Sequence, residues 1–223
     1  MLNNLFSILL TIIIFIPTFL ESKILRYKYF AASQRIGGGS GKIYSMNSYT
    51  IDKNKFSLAL HRFDLSFNYG VTENSEIGLA FNLKELQDSY NISDSVKKIS
   101  PFLKYHIMDS AKELPFDLTI GFYQTTGIVV IEKLLPKLYA TSIGTNLNFT
   151  PDKQQKFYYT IILSKYTRWV EFIFDLNITN EHYSVGGRYL LTPEIQLDLF
   201  FHNLKNITNI LFDNFIFGIT MKL

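Results

Sequence analysis

From Lys55 onward, apolar and polar residues alternate with a period of two. In EIQLDLFF, Ile195, Leu197, Leu199 and Phe201 share one face, while Gln196, Asp198, Phe200 and the following His202 share the other. In WVEFIFDLNI, Val170, Phe172, Phe174, Leu176 and Ile178 oppose Glu171, Asp175 and Asn177. In LYATSIGTNLNF, Tyr139, Ile143, Leu147 and Phe149 oppose Ser142, Gly144, Asn146 and Asn148. Successive side chains of a strand point to opposite faces, so each segment has one apolar face and one polar or small face. Turn signals separate the segments: VTENSE, MDSAKELP, TPDKQQ, ITNEH, LTPE and NLKNITN. The segments run to about ten residues, the length a tilted strand needs to cross a bilayer.

A soluble sandwich shares this alternation but buries its apolar face against a second sheet. A membrane barrel turns that face to lipid and keeps the polar face inside. The polar faces here carry full charges in mid-strand, at Asp64, Glu76, Lys104, Asp117, Glu171, Asp175, Arg188 and Asp198, whereas the opposite faces are almost purely Phe, Leu, Ile, Val and Tyr. Tyr69, Tyr105, Tyr166, Trp169 and Tyr189 fall near segment ends, as an interfacial girdle requires. The pattern therefore predicts an all-β, antiparallel transmembrane barrel, with those eight charged residues as candidates to line its lumen. Closure also removes sheet edges from lipid.

About ten strands are expected, at 63–71, 75–84, 97–108, 114–125, 137–149, 156–164, 168–178, 182–191, 194–203 and 210–222. In KFSLALHRF the parity switches: Phe56, Leu58 and Leu60 are out of phase with Phe63, Leu65, Phe67 and Tyr69. A bulge or a tight turn near His61 and Arg62 accounts for the switch. A turn adds a strand at 55–60, pairs it with another at 43–51, and raises the count to about twelve. The stretch GIVVIEKLLPK is read as a connection holding a short helix or interfacial segment. With the C-terminus in the periplasm, this count places the longest connections, 85–96 and 126–136, on the periplasmic side as well. Long loops ordinarily lie outside, and the tight turn at Tyr166–Arg168 is the suspect hairpin.

The chain ends FIFGITMKL, with Phe215, Phe217, Ile219, Met221 and Leu223 alternating to the last residue. This resembles the terminal strand of bacterial outer-membrane barrels, whose insertion machinery reads polar-x-Gly-x-x-apolar-x-apolar. Gly218, Met221 and Leu223 match that spacing; Ile216 replaces the usual polar residue, and Leu223 the usual Phe. YGVTENSEIGL and GGRYLLTPEIQLDL resemble the strand–turn–strand units of small, poorly characterised outer-membrane barrels, many of them transporter-like. The resemblance covers residues 40–223. It implies outer-membrane lipid and the barrel-insertion machinery as partners, and it supplies no catalytic residues.

Composition agrees with this reading. Aromatic residues make up 16% of the chain and charged residues only 18%, and the net charge of +3 offers no clustered basic face for nucleic acid. There is no cysteine, which excludes a disulfide framework and a thiolate metal site. LFSILLTIIIFIPTFL, from Leu5 to Leu20, has the length of a secretory h-region, and Ser22 is a small residue before the cleavage point. Residues 1–22 are therefore expected to be a signal peptide, 23–42 a flexible Gly-rich lead and 43–223 the barrel.

RIGGGSGKIY, within that lead, invites comparison with a phosphate-binding loop. Such a loop needs G-x-x-x-x-G-K-[ST], but Ile36 replaces the first glycine and Ile43 the hydroxyl residue. A flexible linker joining the exported N-terminus to the barrel wall is the simpler expectation. Four His residues are dispersed, and no acidic cluster has metal-ligand spacing, so neither a metal nor another cofactor is expected. Glu171 and Asp175, four apart on one face, are expected to pair with Arg188, Lys104 or Arg62 across the lumen. His106 and Ser164 lie on polar faces, and no pattern assembles them into a hydrolase site. The functional expectation is a non-enzymatic, narrow channel or transporter for small solutes. The alternatives are a structural or adhesion barrel with a plugged lumen, and then an outer-membrane lipid hydrolase.

Overall fold

The structure, a computed structural model, describes residues 30, 33–36, 38–87, 98–108, 116–135, 141–150, 156–167, 169–205 and 214–223. The expected signal peptide lies outside the described residues. Among the described residues the chain forms twelve strands: β1 (Phe56–His61), β2 (Asp64–Thr72), β3 (Ser75–Asn82), β4 (Ser100–Met108), β5 (Asp117–Tyr123), β6 (Thr126–Leu135), β7 (Thr141–Thr150), β8 (Lys156–Tyr166), β9 (Val170–Asn177), β10 (His182–Leu190), β11 (Ile195–Phe201) and β12 (Phe215–Lys222). Each pairs antiparallel with its sequence neighbours, and β1 pairs with β12, with Ser57 opposite Lys222 and His61 opposite Gly218. The result is a closed, all-antiparallel barrel. A single helical turn, α1 (Leu83–Gln87), follows β3.

The alternation sorts as a barrel requires. Phe67, Leu79, Leu103, Phe122, Leu199 and Phe217 face outward and are exposed, whereas Asn68, Glu76, Lys104, Asp117, Asp198 and Thr220 face inward and are buried. Tyr105, Tyr189 and Trp169 are exposed on the outside towards one end, the end that holds the start of β1 and the finish of β12. Tyr166 departs from the expected girdle. It lies inside at 3% exposure, because its hydroxyl serves the lumen network described below.

Two of the twelve strands lie beyond the ten expected from the alternation. The parity switch is a tight turn: His61 and Asp64 pair directly, and Arg62 takes a φ of 57° between them, which creates β1. The other added strand is β6, not a strand at 43–51. GIVVIEKLL is apolar on both faces, so its period was hidden. Val129 and Ile131 alternate with Ile128 and Val130, which are buried inward against Met46. The tight turn after Tyr166 is present, with Thr167 N–H donating to Val170 O at 2.7 Å.

Inserting β6 corrects the sidedness. The finish of β3, the start of β4, the finish of β11 and the start of β12 now lie at the end opposite the termini, together with the turns 62–63, 124–125 and 178–181. The stretch Thr126–Leu135 is a strand and not a connection, and the chain leaves β3 at the end opposite the one expected.

Candidate functional site

Residues 33–36 and 38–51 fold inside the barrel and fill its lumen. The segment enters at the terminal end, where Phe30 packs against Tyr166 and Leu190. It turns near the far end, where the exposed Tyr44 meets the His202 ring edge-on at 6.1 Å. It returns to the terminal end before β1, with Asn54 N–H donating to Gly70 O. It has no regular ladder, only isolated bridges between Gln34 and Ser40 and between Gly41 and Met46. Internal bonds close its loops: Ile36 N–H to Ile43 O, Gly41 N–H to Ser33 O and Lys42 N–H to Ser45 O.

This fold explains GGGSGK. Gly38 and Gly39 take φ values of 92° and 81°, in the left-handed region that suits glycine. A Cβ at Gly38 would also stand 2.8 Å from the Ala80 methyl. The glycines allow a tight reversal against the wall, so the expectation of a flexible lead ending at 42 is corrected: residues 38–42 are fixed by contacts, and the plug continues past that boundary to about 51.

A plug without secondary structure leaves many backbone groups to be satisfied, and buried backbone polar groups must find partners. The wall charges supply them. Asp175 accepts the N–H groups of Tyr44 at 2.8 Å and Ser45 at 2.9 Å, and the Ser45 hydroxyl at 2.7 Å. Glu76 accepts Ser40 N–H at 2.7 Å and Ile51 N–H at 2.9 Å. Glu132 accepts Ser48 N–H at 2.8 Å, and Thr119 donates to Ser48 O. Lys104 donates to the Ser40 hydroxyl at 2.6 Å, to Asn47 Oδ1 at 2.8 Å and to the Tyr49 carbonyl. Arg188 donates to the carbonyls of Gly41, Gln34 and Lys42, each at 2.5 Å. Gln34 in turn bridges the hydroxyls of Ser57 and Ser66, and Ser33 bonds Gln196.

Ion pairs run through the same region. Lys42 Nζ lies 2.5 Å from Glu171, and Arg188 lies 3.6 Å from Glu171 and 3.1 Å from Asp198, whose carboxylate is also hydrogen-bonded to His61 Nε2 at 2.7 Å. His61 finds room because the residue opposite is Gly218, where a Cβ would collide with its ring. Gly218 thus faces the lumen, while Met221 and Leu223 lie on the outward parity of the terminal strand.

Of the eight charged residues singled out from the sequence, seven are buried in this network: Glu76, Lys104, Asp117, Glu171, Asp175, Arg188 and Asp198. Asp64 differs. It is half-buried at the far end and accepts from Asn82 of the neighbouring strand at 2.8 Å. Pairing within the wall joins Arg188 to Glu171 and Asp198; Lys104, expected to meet an acid across the lumen, instead donates to the plug. Sequence reasoning missed Glu132, because β6 was not read as a strand. It also missed every plug residue.

Tyr49 donates to Asp117 at 3.1 Å and stacks on His106 at 6.2 Å. Burial pushes its phenol up, and the nearby charges of Asp117 and Glu132 push it further the same way. His106 and Ser164 are not brought together: His106 bonds Thr119 at 3.0 Å, and Ser164 on β8 bonds Tyr166 at 3.1 Å, four strands round the wall. Among the described residues, no three His, Asp or Glu side chains are placed to hold a metal.

No family model and no curated protein matches the chain. Among solved structures, the low-pH structure of Pseudomonas putida OprB is similar over 72% of this chain and 55% of its own, with 10% identity and a TM-score of 0.34. The present chain thus spans about half the length of that protein.

Proposed function

We propose that this protein is an outer-membrane channel for small polar solutes, held closed by its own N-terminal segment. The observation that carries this reading is the chemistry of the plug–wall interface. Glu76, Lys104, Glu171, Asp175 and Arg188 are buried, and each is engaged by plug groups. As a permanent filling such an interface has little to recommend it, because apolar packing of the same volume is often equally stable or more so. A charged wall remains wettable when the plug leaves, and an aqueous lumen needs that property.

The outward band of Phe, Leu and Ile supports contact with outer-membrane lipid, and Tyr105, Tyr189 and Trp169 support an interfacial position at the terminal end. Long connections at the opposite end fit the usual architecture, with the termini in the periplasm. The apolar segment Leu5–Leu20 fits export, and Gly218, Met221 and Leu223 fit recognition by the insertion machinery.

The test is conductance in planar bilayers. The full chain is expected to be closed, with rare openings. A variant lacking residues 30–50, shown to be folded by a band that shifts on heating, is expected to conduct steadily. A folded variant without current overturns the channel reading. A second reading, a permanently plugged barrel whose loops bind a partner, is favoured by the completeness of the closure, and that silent variant is the outcome it requires.

A further inference from the structure

The barrel wall builds a site around the ammonium of Lys42. Its Nζ lies 2.5 Å from Glu171 Oε1 and 2.5 Å from the Tyr166 hydroxyl, and 4.9 Å from the centre of the Tyr166 ring. Ser164 donates to the same hydroxyl oxygen at 3.1 Å. The three wall residues are buried on β8 and β9, whereas Lys42 belongs to the plug. A carboxylate, a hydroxyl oxygen and an aromatic face together suit an organic ammonium. A hard divalent ion wants six or more oxygens, which this site does not offer.

The charge of the lumen points the same way. Glu76, Asp117, Glu132, Glu171, Asp175 and Asp198 are buried there against the wall cations Lys104 and Arg188. Lys222 at the terminal end and Asp64 at the far end add one charge of each sign. The plug contributes Arg35 and Lys42, so its departure leaves the described wall strongly negative. Two wall oxygens, Glu171 Oε2 and Glu132 Oε1, accept no hydrogen bond even with the plug in place. Rings of acidic side chains are how pores favour cations.

We propose that Glu171, Tyr166 and Ser164 form a binding site for a small solute bearing an ammonium group, and that Lys42 closes the lumen by occupying that site in the solute's place. The inference rests on the channel reading above and names the class of solute that the channel admits. Binding of the solute and seating of Lys42 exclude one another, so the solute releases one of the contacts that hold the plug.

The test uses the full chain in detergent, with n-butylammonium as the probe. Lys42→Ala vacates the room of one alkylammonium side chain. Millimolar n-butylammonium is expected to raise the temperature of its heat-modification transition by several degrees. n-Butanol is expected to leave it unchanged, and Lys42→Ala/Glu171→Gln is expected to lose the response. In the wild-type protein the same amine competes with Lys42 and accelerates amide exchange across 40–48. That arm decides the matter should Lys42→Ala fail to fold. No response to the amine in either arm, or an equal response to butanol, overturns the site. In bilayers, the Lys42→Ala current is expected to reverse at a potential that shows preference for potassium over chloride. Current without cation preference overturns the inference and leaves the channel reading standing. Amine binding without current in any folded variant sustains the site and overturns the channel reading.

Discussion

Arg188 on β10 stands directly opposite Asp198 on β11 and holds it at 3.1 Å, while the same guanidinium clamps three plug carbonyls. Asp198 also accepts His61, so one buried carboxylate links three strands through two cationic or neutral donors. Removing one partner of such a pair leaves a buried charge unmatched, at a cost of about 3–5 kcal/mol. Arg188→Ala is therefore expected to lower the temperature at which the band shifts on heating more than any change at the half-buried Asp64. Arg188→Ala/Asp198→Ala is expected to fall short of the sum of the single losses, because neither charge is then stranded. Heat-modification curves for the four proteins give the coupling directly.

Asp175 governs the plug more locally. It receives two plug amides and one hydroxyl, and hydrogen bonds to a charged acceptor contribute about 1.5–3 kcal/mol each. Asp175→Asn keeps an acceptor oxygen but removes the charge. Hydrogen exchange at Tyr44, Ser45 and their neighbours is expected to quicken by about tenfold or more, equivalent to ~1.4 kcal/mol. Exchange in β12 and β1, three and four strands round the wall from β9, is expected to stay as it is. Mass spectrometry of peptides spanning 38–50 provides the readout, and unchanged exchange there would show that the carboxylate does not hold the plug.

The barrel was legible in the sequence because its two faces meet different surroundings. Asp198 between Leu197 and Leu199, or Glu171 between Val170 and Phe172, can only alternate if one face is apolar and the other is not. β6 escaped because Ile128 and Val130 face Met46 of the plug, and an apolar residue inside erases the period. The plug itself was not legible. Its order comes from partners far along the chain, such as Glu171 for Lys42 and Asp175 for Ser45, and nothing in RIGGGSGKIY records their presence. Its glycines were visible, but glycine is used equally for looseness and for tight reversals, and only the neighbours decide. Lumenal charges were visible as a group, whereas their purpose as partners of an irregular backbone was not.

Gly38 separates those two uses of glycine. Its φ of 92° and its approach to Ala80 make any side chain costly there. A non-glycine residue held in such a region costs about 1–3 kcal/mol. Gly38→Val is expected to expose the plug to limited proteolysis within 33–50 while the twelve-strand wall keeps its heat-modifiable band. A linker without fixed structure would accept valine with no change in cleavage.

Tyr49 provides a test of plug burial through pH. An unfolded tyrosine releases its proton near 10.0, whereas burial and the charge of Asp117 hold the folded phenol above that value. The folded state therefore binds more protons than the unfolded chain once the pH passes 10.0. The contribution of Tyr49 is fully present below that pH and is lost as the pH rises from there towards the folded value. One such group gives a slope of at most ~1.4 kcal/mol per pH unit, and partial exposure of Tyr49 narrows the pH window over which that slope acts. Tyr49→Phe forfeits the bond to Asp117, so it is expected to be less stable than wild type at neutral pH. Above pH 10 its stability is expected to fall less steeply than that of the wild type, and the two curves converge. Urea midpoints in detergent, measured at intervals from neutral pH upward, compare the slopes. Parallel curves would mean that the phenol ionises within the folded protein and that water reaches the terminal end of the plug.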